Sequence, residues 1–173
     1  MQSSTLPSSC SPWPTRTKER ILLNSGLLEF LDVFLESEIR FLVVGGYAVM
    51  KYTEPRMTKD IDLWIDTTPE NAEKVYHALA RFGAPLVGYS PRDFIDPDTF
   101  FQVGATFRVD LITSMPAGLN FPEAWEHRVV GHLHGKAVPF ISMEDLIATK
   151  RAVGRPQDLL DLQNLLNARG RGR

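Results

Sequence analysis

The heptapeptide DIDLWID, residues 60–66, alternates without exception: Ile61, Leu63 and Ile65 fall on one side, Asp60, Asp62, Trp64 and Asp66 on the other. A period of two is the signature of a β-strand with one face on a core, so the fold must contain a sheet whose other face carries acids. Asp60 and Asp62 then project from the same face with Cα atoms about 6.5–7 Å apart. Two ionised carboxylates so placed repel each other and lose hydration wherever the face is half-covered. Either the strand lies at an edge in water, or the acids converge on a cation.

The residues ahead of this strand favour the second reading. Residues 39–44 are β-branched, aliphatic and aromatic, which predicts a short buried strand stopping at Gly45-Gly46. Residues 47–52 allow one or two helical turns before Pro55. A strand that ends in two glycines and feeds a helix lets backbone N–H groups approach an anion closely. By itself the glycine pair means only a tight turn; with the acids it suggests phosphate chemistry.

The rest of the chain supplies alternating elements. Leu23, Leu27, Phe30, Leu31 and Phe34 recur at helical spacing, with a weak start at Asn24-Ser25-Gly26. Thr68 as N-cap and Pro69 open a second helix, whose stripe Ala72, Val75, Tyr76, Leu79 and Phe82 runs to Gly83. A Pro- and Asp-rich loop at 84–98 leads to a hairpin turning at Gly104-Ala105; on its second arm Phe107, Val109 and Leu111 oppose Arg108, Asp110 and Ile112. Short strands surround Gly135, Ser142 to Asp145 resembles a capping box, and Gly154-Arg155-Pro156 separates two final helices, the last carried by Leu159, Leu162 and Leu166. The expected fold class is α+β, close to α/β: a small mixed β-sheet flanked by helices, with a C-terminal helical pair. The expected division is a disordered leader at 1–18, one domain at 19–168 with its core at 39–141 and C-terminal helices at 142–168, and a basic tail at 169–173.

Composition excludes several classes of function. With 43% apolar and 23% charged residues, and no apolar run near the ~20 residues of a membrane span, no membrane role is expected. A net charge of −2 offers no broad basic field, so an RNA partner gets no support from charge, and the basic runs at 15–20 and 169–173 read as solvated tails. The single cysteine, Cys10, cannot form an internal disulfide, and the Ser- and Pro-rich start lacks the apolar core of a secretory signal, which makes the cytoplasm the expected location.

Hard carboxylate oxygens suit Mg²⁺, with Mn²⁺ as the alternative. Asp110 sits on an alternating strand that can pair beside the strand of Asp60 and Asp62, giving the three acids expected of metal-assisted phosphoryl transfer; the competing reading pairs Asp110 with Arg108 on the same face. Arg56, Thr58 and Lys59 directly precede the acids, and Arg56 either neutralises phosphate or braces the carboxylates. His132 and His134 share a strand face but lack a third ligand, and Trp64 is either a stacking surface for a base or a core aromatic.

Residues 45–66, GGYAVMKYTEPRMTKDIDLWID, resemble the signature of the nucleotidyltransferase superfamily related to DNA polymerase beta. They look most like its minimal members, the AbiEii toxin group and the antibiotic nucleotidyltransferases. Residues 141–166, ISMEDLIATKRAVGRPQDLLDLQNLL, resemble the AbiEii-type segment at Lys150, Arg155, Asp158 and Asp161. The resemblance implies that Asp60, Asp62 and Asp110 ligate Mg²⁺, with Asp110 also serving as general base. It implies that Gly45, Gly46, Arg56, Thr58, Lys150 and Arg155 hold a nucleoside triphosphate. The implied reaction moves a nucleoside monophosphate onto a hydroxyl of a small molecule, protein or RNA and releases pyrophosphate. Asp158 and Asp161, on one helical face, are expected to clamp Arg155 or Lys150. The large C-terminal substrate domain of bigger relatives has no counterpart, so acceptor recognition is expected from loop 84–98, a second subunit in a homodimer, or a toxin–antitoxin partner. The alternative function is a catalytically weak binding module that acts through such a partner.

Overall fold

A computed structural model describes residues 25–97, 99–104, 107–133 and 135–171. The expected leader with Cys10, the histidine His134 and the last two residues of the expected tail lie outside them. The elements in chain order are α1 (Ser25–Glu36), β1 (Phe41–Val44), α2 (Gly45–Tyr52), β2 (Asp60–Ile65) and α3 (Pro69–Phe82). They are followed by β3 (Phe100–Val103), β4 (Arg108–Ile112), α4 (Phe121–Glu126), β5 (Val129–Leu133), β6 (Lys136–Phe140), α5 (Met143–Val153) and α6 (Pro156–Arg171). The expected α+β architecture, a mixed sheet with a C-terminal helical pair, is the one observed.

The six strands form one sheet in the order β3-β4-β2-β1-β6-β5. β1 and β2 are antiparallel, with Val44 opposite Asp62, so the glycines that end β1 arrive beside the second acid of β2. β2 and β4 are parallel, and their register sets Asp60 against Arg108 and Asp62 against Asp110. The predicted adjacency of the two acid-bearing strands therefore holds residue for residue. β3 continues the sheet antiparallel to β4 and puts Gln102 opposite Asp110.

The core sits where the alternation placed it. Ile61, Leu63 and Ile65 are buried, as are Phe30, Phe34, Phe41, Val75 and Leu79 from the flanking elements. Phe34 meets Phe41 edge-on at 6.0 Å, and Phe30 meets Phe82 at 5.2 Å, which ties α1 to the sheet and to α3. At the far end of β2 the acid face closes over: Trp64 is 1% exposed, stands edge-on to Phe121 of α4 at 5.2 Å, and donates its indole N–H to the Thr113 carbonyl. Trp64 is thus a core aromatic and not a stacking surface. Asp66 is structural too, paired with Arg40 at 2.8 Å and accepting from the Thr68 N–H.

Thr68 stands at the N-cap of α3, as expected, but its side chain makes no cap bond; its own N–H donates to the Asp66 carboxylate. Helix α4 was not expected, because it is short and its signal is one capping asparagine, Asn120, which accepts from the Glu123 N–H at 3.0 Å, with Pro122 in the first turn. Helix α6 runs through Arg171, so the expected basic tail begins inside a helix, and Arg169 pairs with Glu144 at 2.9 Å. No helix among the described residues is long and apolar enough to cross a membrane.

Candidate functional site

Asp60 and Asp62 on β2 and Asp110 on β4 share one face of the sheet, at the end where β1 turns into α2. Partners in neighbouring strands stand about 4.8 Å apart, so Asp62 and Asp110 are lateral neighbours. Asp110 is nearly buried, whereas the Asp60 side chain keeps 24% of its exposure. Burial first, then the charges of Asp110 and Asp60, push the Asp62 carboxyl up to about 6, against the Lys150 charge and the Gly46 N–H that draw it down.

The glycines serve Asp62 directly. Gly45 has φ +59, and a Cβ built on it would lie 1.9 Å from Asp62 Oδ2. The Gly46 N–H donates to the same carboxylate, while a Cβ there would meet Thr58 Oγ1 at 2.7 Å. No residue of its own caps α2, whose N-cap position is Val44, and its first turn holds no acid; the anion that meets this helix end is the Asp62 carboxylate, through the Gly46 N–H.

Arg108 bridges two of the acids. Its guanidinium contacts Asp60 closely and reaches Asp110 at 3.4 Å, and Asp110 also accepts from Gln102 at 2.9 Å. The competing reading of Asp110 as a paired acid is therefore realised together with its place on the acid face. Among the described residues, no three or more carboxylate, imidazole or thiol groups are drawn together closely enough to hold a metal ion, and Arg108 lies across Asp60 and Asp110. By chemistry the donors suit a hard divalent cation: Asp60, Asp62 and Asp110 offer only carboxylate oxygens, and Asp62 carries a charge penalty, relieved in part by Lys150 and the Gly46 N–H, that such a cation would remove. His132, exposed on β5, belongs to no such group.

The basic residues divide into held and free. Lys150 on α5 gives its ammonium to Asp158 at 2.8 Å and Asp161 at 2.9 Å, and Arg56 reaches Asp161 at 2.9 Å. The clamp expected of the two α6 acids is what forms, on Lys150 and Arg56 and not on Arg155. Burial pushes the Asp161 carboxyl up, but hydrogen bonds from Lys150 and Gln157 and the charges of Lys150 and Arg56 outweigh it, holding the group below its ordinary value. Arg155, at the break between α5 and α6, is exposed and forms no side-chain pair among the described residues. Lys59 is an exposed loop charge.

Because Asp161 is fully buried, its removal strands partly buried Arg56 and leaves Lys150 with Asp158 alone. Asp161→Ala is expected to lower the unfolding free energy by about 3 kcal/mol, read as a shift of the urea midpoint. The folded carboxyl has the lower pKa, so this stabilisation is present above the ordinary value near 3.8 and fades as pH falls below it. The stability gap between the wild type and the variant should therefore narrow as pH falls below about 3.8.

A cleft of about 340 Å³ opens on this face, lined by Gly45, Gly46, Arg56, Asp62, Lys150 and Arg155 among others. No described residue of loop 84–98 lines it; that loop folds instead around buried Phe94, stacked near Tyr89 and edge-on to Phe101 at 5.6 Å. The loop therefore stands outside the lining of this cleft. Sequence reasoning missed Gln102, whose only signal is its place opposite Asp110 in the hairpin register.

The sequence pattern of one known family matches residues 27–167, nearly the whole described chain. The chain belongs to the family described as nucleotidyltransferase of unknown function (DUF6036). Two solved structures share the fold of this nucleotidyltransferase. One is the lincosamide antibiotic adenylyltransferase LnuA bound to lincomycin, 14% identical, covering 85% of this chain and 98% of that one with a TM-score of 0.52. The other is TM1012 of Thermotoga maritima, assigned as a nucleotidyltransferase, 18% identical, covering 82% and 90% with a TM-score of 0.52. No curated protein matches the sequence.

Proposed function

We propose that this member of the family is a cytoplasmic, Mg²⁺-dependent transferase that moves a nucleoside monophosphate from a nucleoside triphosphate to a hydroxyl of a small molecule, protein or RNA, releasing pyrophosphate. The observation that carries this reading is the lateral pairing of Asp62 with Asp110, with Asp60 on the same face, beside a cleft that Asp62 alone of the three lines, together with the α2 helix start and three cations. Asp60, Asp62 and Asp110 would hold Mg²⁺, or Mn²⁺ in its place. When bound, the ion supplies positive charge to the phosphate oxygens and orients them.

The protein's own groups have separate tasks. The N-terminus of α2, where Asp62 accepts from the Gly46 N–H, receives phosphate oxygens at its other N–H groups, and Arg155 contributes the charge that no carboxylate neutralises. Asp161 and Asp158 fix Lys150 and Arg56 at the rim of the site, so those cations meet the triphosphate without first losing side-chain entropy. Asp110 accepts the proton of the attacking hydroxyl once Arg108 has moved aside. Within the superfamily, we read the chain as AbiEii-like on the resemblance of its segment from Lys150 to Asp161.

The test is incubation with each α-labelled triphosphate, Mg²⁺ and fractionated cell extract, scored for label transferred to an acceptor and pyrophosphate released. Arg155→Ala is expected to weaken binding of Mg²⁺-nucleotide about tenfold or more by calorimetry, with an unchanged melting temperature because the side chain is exposed. Unchanged affinity would remove Arg155 from the site.

A second reading, a binding module acting through a protein partner, is favoured by the Arg108 bridge across Asp60 and Asp110. If that bridge is permanent, calorimetry will show no metal-dependent nucleotide binding, and capture of the partner will survive substitution of both Asp60 and Asp62.

A further inference from the structure

The lining of the cleft divides by chemistry. Its donors come from the start of α2, the segment before β2, Lys150 on α5 and Arg155 just ahead of α6, beside the carboxylates of Asp62 and Asp158. The apolar lining is Val44 before α2, Ile112 at the end of β4, Met115 and Pro116 in the loop that follows, and Leu146 and Val153 on α5, with the Thr149 hydroxyl among them turned to the Leu146 carbonyl at 2.8 Å. Ile112 lies two residues beyond Asp110 on the same face of the sheet, so the apolar part begins directly beside the acids. A triphosphate engages the first group through its oxygens. What remains of the molecule, sugar and base, has the second group to lie against.

Resting on the proposed reaction, we infer that Ile112, Met115, Pro116 and Val153 form the seat of the nucleobase and hold it by apolar contact without reading its hydrogen-bonding edge. These side chains carry no donor, and the Met115 thioether is only a weak acceptor. Strong discrimination between ring substituents requires a polar group that goes unpaired with the wrong base; an apolar surface cannot impose that penalty. ATP and GTP, which present the same bicyclic ring area, therefore bind alike. Pyrimidines cover less apolar surface and bind more weakly.

The experiment titrates the full-length protein in Mg²⁺ with ATP, GTP, CTP, UTP and inorganic tripolyphosphate, and repeats the series with Met115→Ala and Val153→Ala. Val153 is 37% exposed in the last turn of α5, and alanine favours a helix, so that variant keeps the fold. The expected result is affinities for ATP and GTP within about threefold of each other, lowered together about three- to tenfold in each variant, with tripolyphosphate unchanged. A preference above about tenfold between ATP and GTP overturns the inference and leaves the proposed reaction standing. Equal losses for tripolyphosphate and the nucleotides also overturn it, because the residues would then be shaping the phosphate site. If neither nucleotides nor tripolyphosphate bind, the proposed reaction fails and the base seat with it.

Discussion

Asp62→Asn is expected to reduce nucleotidyl transfer about 10³-fold or more while making the metal-free protein more stable at pH 7. The first effect follows from the position of Asp62 between Asp60 on its own strand and Asp110 on the next, which in the proposed reaction makes it the acid that would join both to the cation. The second follows from charge. A carboxyl held up to about 6 in the folded chain, against 3.8 ordinarily, binds its proton better folded than unfolded. Stability therefore falls as pH rises from about 4 to 6 and stays lower above that range. Two units correspond to about 3 kcal/mol at most, and partial solvent access reduces this to about 1–2 kcal/mol. Asparagine removes the charge and keeps the shape, so it should recover that amount at pH 7 in EDTA. Urea unfolding at pH 5 and pH 7 checks it: the advantage of the variant should shrink at pH 5. A variant that loses both activity and stability would show that Asp62 is a structural acid, in the manner of Asp66, and not a ligand.

Much of this arrangement was legible because it rests on local rules. Strict alternation in residues 60–66 fixed β2, its core face and the common direction of Asp60 and Asp62. The second alternating segment put Asp110 on the matching face of β4, and the cap at Ser142 and the break at Gly154 set the ends of α5. What local pattern does not encode is register and cover. That Trp64 is buried although it shares the acid face depends on α4, which reaches it from nearly sixty residues away and carries only a weak signal of its own. That Asp161 holds both Lys150 and Arg56 depends on α6 lying beside the segment before β2, a contact across about a hundred positions. Arg108 was legible as a rival partner for Asp110, but its hold on Asp60 as well required the parallel register of β2 and β4.

The glycines are where sequence and structure differ most instructively, and they carry the second large prediction. Gly45 looked like a seat for phosphate; the structure makes it first a requirement of Asp62. Gly45→Ala faces two separate penalties. At φ +59 an L side chain costs about 1–2 kcal/mol, and the new Cβ would stand 1.9 Å from Asp62 Oδ2 and 2.8 Å from its Cγ, which no rotation of a methyl group can relieve. Either the carboxylate swings away or β1 and β2 separate, and displacement of a reacting group by about 1 Å is enough for a hundredfold loss. The expected outcome is a destabilisation of about 3 kcal/mol or more with transfer reduced at least about 100-fold. Gly83→Ala calibrates the first penalty alone, since Gly83 has φ +85 at the end of α3 and nothing within 4 Å of the added carbon. The second penalty is isolated by repeating Gly45→Ala in an Asp62→Ala background, where the clashing oxygen and carboxyl carbon are gone and only the Asp62 Cβ, 3.2 Å away, remains. The loss from Gly45→Ala should then fall towards the Gly83→Ala value, a coupling of about 1–2 kcal/mol between the two sites. Strict additivity would mean that the glycine is needed for its backbone angle only, and that the close approach of helix start and carboxylate does not govern the placement of Asp62.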